Sequence, residues 1–112
     1  MIRTFKETPT FTKKVELIGS PELLKSIQEA IMENPIIGDT IAGTGGLKKF
    51  RMPDASRGKG KRGGLRVIYL DLPDKETTYL LFIYGKDEAD DLTATEKKIF
   101  KELVSRIKGE NK

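Results

Sequence analysis

Three cationic side chains in two neighbouring predicted strands have the types and spacing that phosphate chemistry requires. Lys49 and Arg51 alternate with Phe50 and Met52, so the two cations share one face of a strand. Arg66 alternates with apolar residues at the start of the next predicted strand. Three cations on one sheet face repel one another, and a bound phosphate relieves that repulsion. The spacing therefore predicts a site that stabilises negative charge on a reacting phosphate.

Within this site the residue types indicate different roles. A lysine can give up and regain a proton, whereas an arginine stays charged, so Lys49 is the candidate base or acid. Arg51 and Arg66 are candidate phosphate clamps. Because Arg66 is expected on a strand face turned away from the apolar core, its removal is predicted to cost little stability. The alternative interpretation is an ordinary solvated strand face.

The segment 48–66 carries most of the charge imbalance of the chain. It holds eight basic residues and one acidic residue, a net charge of +7, whereas the remaining residues have a net charge of −3. A local basic cluster of this kind binds and orients a nucleic-acid backbone better than evenly spread charge does. The cations assigned to RNA or ribosome binding are Lys48, Arg57, Lys59, Lys61 and Arg62.

The connection between the two strands is rich in glycine. Gly58, Gly60, Gly63 and Gly64 separate its cations, which predicts a mobile loop that conforms to a phosphate surface. The alternative is a flexible loop that is kept soluble by its charge. Because no Gly-x4-Gly-Lys-Ser/Thr motif is present, nucleotide hydrolysis is not predicted.

The composition excludes several kinds of site. The chain has no cysteine and no histidine, which excludes disulfides, thiolate zinc sites and every histidine-based nucleophile arrangement. An acidic run at 87–91 precedes a predicted helix. Carboxylates at that position are better explained by a favourable interaction with the helix dipole than by metal binding. No metal and no cofactor are therefore predicted. The N-terminus lacks a signal-peptide pattern and no apolar run is long enough for a membrane span, so a cytoplasmic protein without a membrane partner is expected.

At 112 residues the chain is expected to form one domain, 1–112. A first strand is predicted at 2–5. Two helices follow, the first starting at Thr8 and Pro9 and ending at Gly19, the second running from 20–22 to Asn34. Their apolar stripes predict a helix hairpin.

In the second half of the chain, successive side chains alternate as they do in strands, and a predicted helix follows the last strand. Strands are predicted at 47–52, 65–71 and 77–84, and the last of these is apolar on both faces, so it must be covered on both sides. Tyr69, Tyr79 and Tyr84 lie within predicted strands, where packing is the favoured role; of the three, only Tyr84, near a strand end, is a candidate to meet a base. A capping box at 93–96 opens the final helix. The prediction is an α+β fold with a small antiparallel sheet, an N-terminal helix hairpin, and a C-terminal helix on the other face or the edge.

These residues resemble a known family, the RelE/HigB superfamily of toxins from type II toxin-antitoxin systems, and most of all its HigB branch. The similarity covers nearly the whole chain. It rests on the stretches 34–38, 43–51, 58–59, 63–69, 84–86 and 91–93, which read NPIIG, GTGGLKKFR, GK, GGLRVIY, YGK and DLT.

The resemblance implies a ribosome-dependent mRNA endonuclease that cuts in the ribosomal A site. Such toxins use metal-free attack of a 2′-hydroxyl on the adjacent phosphate. It also implies that a HigA-type antitoxin neutralises the toxin. The toxin would then contact operator DNA only indirectly, through this antitoxin. The family site consists of lysine and arginine on the concave sheet face, and the matching positions here are Lys49, Arg51 and Arg66. Lys86, in the Gly-Lys pair that closes the last strand, is added as a catalytic candidate; the alternative for it is solvation beside acidic neighbours.

Two positions depart from the pattern of the ribonuclease members. Where those proteins often have a basic residue after the Gly-Lys pair and a tyrosine about six positions later, this chain has Asp87 and Thr93. The roles of base stacking and of acid and base therefore do not carry over. The alternative function is that of the ParE-like branch, which shares the architecture but binds and inhibits DNA gyrase without nuclease activity.

Overall fold

A computed structural model describes residues 3–54, 64–85 and 92–111 of the chain. They form five strands and three helices around one sheet. The strands are β1 (Thr4–Glu7), β2 (Asp39–Thr40), β3 (Lys48–Met52), β4 (Leu65–Leu72) and β5 (Thr77–Gly85), and the helices are α1 (Pro9–Ile18), α2 (Leu23–Glu33) and α3 (Ala94–Glu110).

The sheet has the order β1-β5-β4-β3-β2. Neighbouring strands are antiparallel except for the outer pair, in which β1 runs parallel to β5. The predicted α+β fold is confirmed, with a mixed sheet in which one strand pair is parallel. The first strand lies two residues later than predicted, and the two-residue β2 lies where a loop was expected.

Local signals in the sequence account for the helix hairpin. The Thr8 hydroxyl accepts a hydrogen bond from the Phe11 amide at 3.1 Å and donates one to the Leu81 carbonyl at 2.7 Å, so the start of α1 is attached to β5. Gly19 ends α1 with a left-handed backbone, φ 74°, which glycine adopts without strain. Asn34 ends α2 immediately before a proline, as predicted.

Each face of the sheet is covered by its own apolar core. The first core lies under α1 and α2, which supply Phe11, Leu23, Ile27 and Ile31 to it. The second core lies under α3 and includes Ile68, Leu81, Tyr84, Val104 and Ile107. The two-faced apolar pattern of β5 is thus explained, because its residues contribute to both cores.

A bulge in β5 decides which of its residues share a face. Ile68 is opposite Phe82, whereas the next residue, Tyr69, is opposite Leu80, so Leu81 is the extra residue. As a result Leu81 and Phe82 both contribute to the α3 core.

The predicted capping box opens α3, with hydrogen bonds in both directions between Thr93 and Glu96. The apolar stripe of α3 faces the sheet, but Ile99 of the same helix is 59% exposed. Ile99 instead lines a surface groove of about 300 Å³ between the N-terminal ends of α1 and α3. Within the described residues, each helix is too short or too polar to span a lipid bilayer.

Candidate functional site

The three predicted catalytic cations of β3 and β4, Lys49, Arg51 and Arg66, lie on the α3 face of the sheet. Phe50 and Met52 contribute to the α1/α2 core, so strand alternation turns Lys49 and Arg51 to the opposite face. Arg66 alternates with Leu65 and Val67, which also belong to the α1/α2 core. The alternation predicted from the sequence is therefore present in the structure.

The strand register brings two of these cations together. Arg51 of β3 is the direct cross-strand partner of Arg66 of β4, and Lys49 is opposite Ile68, one diagonal step away. Residues directly opposite on antiparallel strands have Cβ atoms about 4.5 to 5.5 Å apart. The two arginines consequently form a like-charged pair on one face, with Lys49 beside them.

The solvent exposure of the pair is uneven. Arg51 is exposed, whereas Arg66 is only 4% exposed and its guanidinium Nη1 donates a hydrogen bond to the Gly64 carbonyl at 3.3 Å. This burial raises the expected cost of removing Arg66, because the aliphatic stem of a buried arginine contributes packing. Lys49 is intermediate in exposure.

Tyr84 extends this pair into a row of three. It is the cross-strand partner of Arg66 on β5, so the row across the sheet reads Arg51, Arg66, Tyr84. Tyr84 is 3% exposed and its ring stacks on Phe82, with centroids 5.7 Å apart. Three tyrosines lie within predicted strands, and the sequence alone does not distinguish the one that adjoins Arg66.

Lys48 lies apart from the row. It alternates with Lys49 and therefore lies on the α1/α2 side of the sheet, where its Nζ donates a hydrogen bond to the Thr40 hydroxyl at 3.1 Å. The other predicted cations, Arg57, Lys59, Lys61, Arg62 and Lys86, lie outside the described residues.

Two features on the α1/α2 side hold β3 in place. Gly38 (φ +89°) packs so closely against β3 that a Cβ there would lie 2.1 Å from the Lys49 carbonyl oxygen. The Tyr69 hydroxyl donates to the Ile37 carbonyl at 2.7 Å, and the ring meets Phe50 edge-on at 5.6 Å. The strand that carries Lys49 and Arg51 is thereby fixed against β4.

The electrostatics around Tyr69 favour its neutral form. Burial raises the pKa of the Tyr69 hydroxyl well above its ordinary value, the nearby Asp71 carboxylate raises it further, and Arg3 opposes the shift. Arg3 also forms an ion pair with Asp71 across β5 and hydrogen-bonds to the Thr78 hydroxyl. The phenol therefore remains a donor over the whole neutral range.

The three cations Lys49, Arg51 and Arg66 suit a phosphate ligand. Among residues 3–54, 64–85 and 92–111, no group of three or more acidic side chains is arranged to hold a metal ion. Two guanidinium groups and an ammonium group on one face can neutralise a phosphate by themselves.

The chain also matches a known protein family. The model of a family described as "RelE toxin of RelE / RelB toxin-antitoxin system" matches residues 2–112, nearly the whole chain.

Proposed function

Since the chain belongs to the RelE toxin family of toxin-antitoxin systems, we propose that it is a ribosome-dependent mRNA endonuclease that cuts in the ribosomal A site. The proposal assigns this activity to residues 1–112 as one domain acting in the cytoplasm. Its partners are the ribosome with its mRNA and a cognate antitoxin of HigA type, which alone contacts operator DNA. Within the family, the quoted motifs favour the HigB branch.

The pairing of Arg51 with Arg66 is the observation that carries the proposal. The register places two guanidinium groups side by side on one face of the sheet, so both can contact the same phosphate. A phosphorane carries more negative charge than the phosphate of the bound substrate. The two cations therefore stabilise the transition state more than the ground state.

The proposed reaction needs no group beyond the protein and the RNA. The 2′-hydroxyl oxygen forms a bond to the adjacent phosphorus, and the bond from phosphorus to the 5′-oxygen breaks. One proton leaves the 2′-hydroxyl and one is delivered to the 5′-oxygen, which leaves a cyclic phosphate and a 5′-hydroxyl. Lys49 is the proposed proton carrier, and Arg51 and Arg66 stabilise the charge on the phosphorane. Lys86 is a further catalytic candidate.

The remaining cations are assigned to binding. Lys48, Arg57, Lys59, Lys61 and Arg62 are proposed to contact ribosomal or messenger RNA. Because phosphate contacts fix register and orientation without chemistry, the position of Lys48 on the opposite sheet face is compatible with this role.

The test is to express the protein and map RNA 5′ ends on translated and untranslated copies of one message. We expect cuts in the translated copy only, with 5′-hydroxyl ends. The double variant Lys49→Ala/Arg51→Ala should lose cleavage by far more than it loses ribosome binding. Its matched control is Lys13→Ala/Lys101→Ala, which removes two exposed helix cations and should cut normally.

Each other outcome has a defined meaning. Intact messages together with DNA breaks would replace the nuclease by the ParE-like gyrase inhibitor. Cuts in both copies would remove the requirement for the ribosome. If binding falls in proportion to cleavage in the Lys49/Arg51 double variant, these residues serve docking and the catalytic assignment is wrong.

A further inference from the structure

We infer that Asp39 is a catalytic base, which takes the proton from the attacking 2′-hydroxyl while Lys49 delivers a proton to the leaving 5′-oxygen. This inference rests on the proposed nuclease function and divides its two proton transfers between two side chains. Asp39 lies between the quoted family stretches 34–38 and 43–51, and the resemblance assigns it no role.

The reaction needs one group that accepts a proton and one that donates a proton. A proton leaves the 2′-oxygen as this atom bonds to phosphorus, and another reaches the 5′-oxygen as its bond to phosphorus breaks. A lysine ammonium group donates a proton and cannot accept one until it has done so, and an arginine stays charged. Because the chain has no histidine, a carboxylate is the side chain best suited to accept a proton at neutral pH.

The strand register places Asp39 beside Lys49. The two residues are direct cross-strand partners on the antiparallel strands β2 and β3, so their Cβ atoms lie about 4.5 to 5.5 Å apart on one face of the sheet. The next pair fixes which face this is, because Lys48 donates its hydrogen bond to Thr40 on the α1/α2 side. Strand alternation therefore turns Asp39, like Lys49, to the α3 side.

Among the strands of the described residues, Asp39 is the only acidic side chain on this face. Those strands contain two other acidic residues, Glu7 and Asp71. Glu7 shares its face with Phe5, and Asp71 shares its face with Tyr69, by strand alternation. Phe5 and Tyr69 both belong to the α1/α2 core, so Glu7 and Asp71 lie on the opposite side of the sheet from the proposed site.

Close packing holds Asp39 in place relative to Lys49. The preceding residue, Gly38, approaches β3 so closely that a Cβ there would lie 2.1 Å from the Lys49 carbonyl oxygen. On the other side of β2, the Ile41 amide donates a hydrogen bond to the Leu47 carbonyl at 2.8 Å. The backbone of Asp39 is thus fixed at both ends against the strand that carries Lys49, as a group that transfers a proton requires.

The site remains cationic and accessible with Asp39 included. One carboxylate beside the three cations Lys49, Arg51 and Arg66 leaves a formal net charge of +2, which still attracts a phosphate. Asp39 and Arg51 are exposed and Lys49 is partly exposed, so an RNA strand can reach them. A carboxylate and an ammonium group from opposite residues can flank one phosphate, the first at the attacking oxygen and the second at the leaving oxygen.

The experiment compares Asp39→Asn with Asp74→Asn. Both variants remove one carboxylate charge at nearly constant side-chain size, and both positions are exposed, but Asp74 lies in the short helical turn between β4 and β5. Single-turnover cleavage is measured against ribosome concentration, together with the melting temperature. A second message carries sulfur in place of the 5′-oxygen at the scissile bond, because a thiolate leaves without being protonated.

We expect Asp39→Asn to lower the maximal cleavage rate by about a hundredfold or more, with ribosome binding at least as tight as that of wild type and an unchanged melting temperature. Electrostatics alone predicts the opposite sign, because loss of an acidic side chain makes the site more cationic and should speed cleavage. Asp74→Asn should cut at the wild-type rate. The sulfur-substituted message should restore cleavage by Lys49→Ala but not by Asp39→Asn.

A cleavage rate for Asp39→Asn equal to or above that of wild type would overturn the inference and leave the nuclease proposal intact. So would recovery of Asp39→Asn on the sulfur-substituted message, because the carboxylate would then serve the leaving group. A wild-type protein that cuts no message would instead refute the proposed function itself, and that result is obtained before any variant is made.

Discussion

Arg51 and Arg66 are cross-strand partners with very different solvent exposure, so the two arginines should respond differently to substitution. For Arg51→Ala we expect unfolding free energy within about 0.5 kcal/mol of wild type, since the side chain is exposed. Its cleavage rate should fall on the order of a hundredfold, because one charge that stabilises the phosphorane is lost. Urea titration and single-turnover cleavage measure the two effects.

Arg66→Ala should lose both stability and cleavage activity. Truncating a buried arginine removes packing as well as charge, and we expect a loss of about 1 to 3 kcal/mol in unfolding free energy. Arg66→Lys serves as the comparison, because it keeps the charge and most of the stem. If Arg66→Ala is as stable as wild type, the burial of Arg66 carries no packing energy and this reasoning fails.

For single residues, strand alternation predicted which cations share a face of the sheet. It could not predict which residues lie opposite each other on neighbouring strands. Phe50 and Met52 point into the core because apolar side chains must be buried, and that rule turns Arg51 outward. That Arg51 is opposite Arg66 depends on where the connection between β3 and β4 closes, which is a property of tertiary structure. The burial of Arg66 and its adjacency to Tyr84 likewise depend on other elements.

Among the elements, the contact between Gly38 and β3 has the clearest consequence. Gly38 and Gly43 both have positive φ, at 89° and 77°, but a Cβ at Gly43 meets nothing within 4 Å. Gly43→Ala should therefore cost only the left-handed strain of about 1 to 2 kcal/mol. Gly38→Ala adds a clash with the Lys49 carbonyl and should cost at least about 2 kcal/mol more.

Thermal unfolding of the two glycine variants measures this difference. The Gly43 variant carries the same kind of backbone strain and so isolates the clash. Equal losses of melting temperature in the two variants would show that β3 moves aside freely. In that case the close approach does not hold Lys49 in position.

The strand pairings show where sequence patterns stop being informative. The start of α1 at Thr8 and the capping box of α3 could be predicted, because caps are local chemistry. The parallel partner of β1 could not, since a short strand does not encode its neighbour. The bulge at Leu81 was also not predicted. This bulge places Tyr79 and Tyr84 on the same face of the sheet.

Tyr69 links two elements and should make stability depend on pH at the alkaline end. Its folded-state pKa lies above the ordinary value near 10, so ionisation favours the unfolded chain. The stabilisation is fully present below about pH 10 and is lost as the pH rises toward the folded-state value. Tyr69→Phe should be less stable near neutral pH by about 1 kcal/mol.

Urea unfolding of both proteins between about pH 8 and 11 tests the sign of this effect. Wild type should lose more stability over that range than Tyr69→Phe. The unfolding free energies of the two proteins should therefore approach each other at the highest pH. Tyr79→Phe controls for the general loss of stability in alkali. Parallel curves for wild type and Tyr69→Phe would contradict the role of the phenol.

Over the whole molecule, the basic segment 48–66 is set against an acidic remainder, with net charges of +7 and −3. Such a focused field should matter for docking on RNA more than the total charge does. The triple variant Lys59→Ala/Lys61→Ala/Arg62→Ala removes three charges from this segment. Its matched control, Lys13→Ala/Lys98→Ala/Lys101→Ala, removes three exposed charges from the helices and has the same net charge.

Counterion release predicts different salt dependences for the two triple variants. The slope of log binding constant against log salt for ribosomes should become shallower by about two to three units in the 59/61/62 variant. In the helix variant it should change by less than about one unit. At saturating ribosomes the 59/61/62 variant should cut at nearly the wild-type rate, because its lost charges serve docking. Equal slopes in the two variants would mean that total charge governs docking, and normal binding without cleavage would place these cations in the active site.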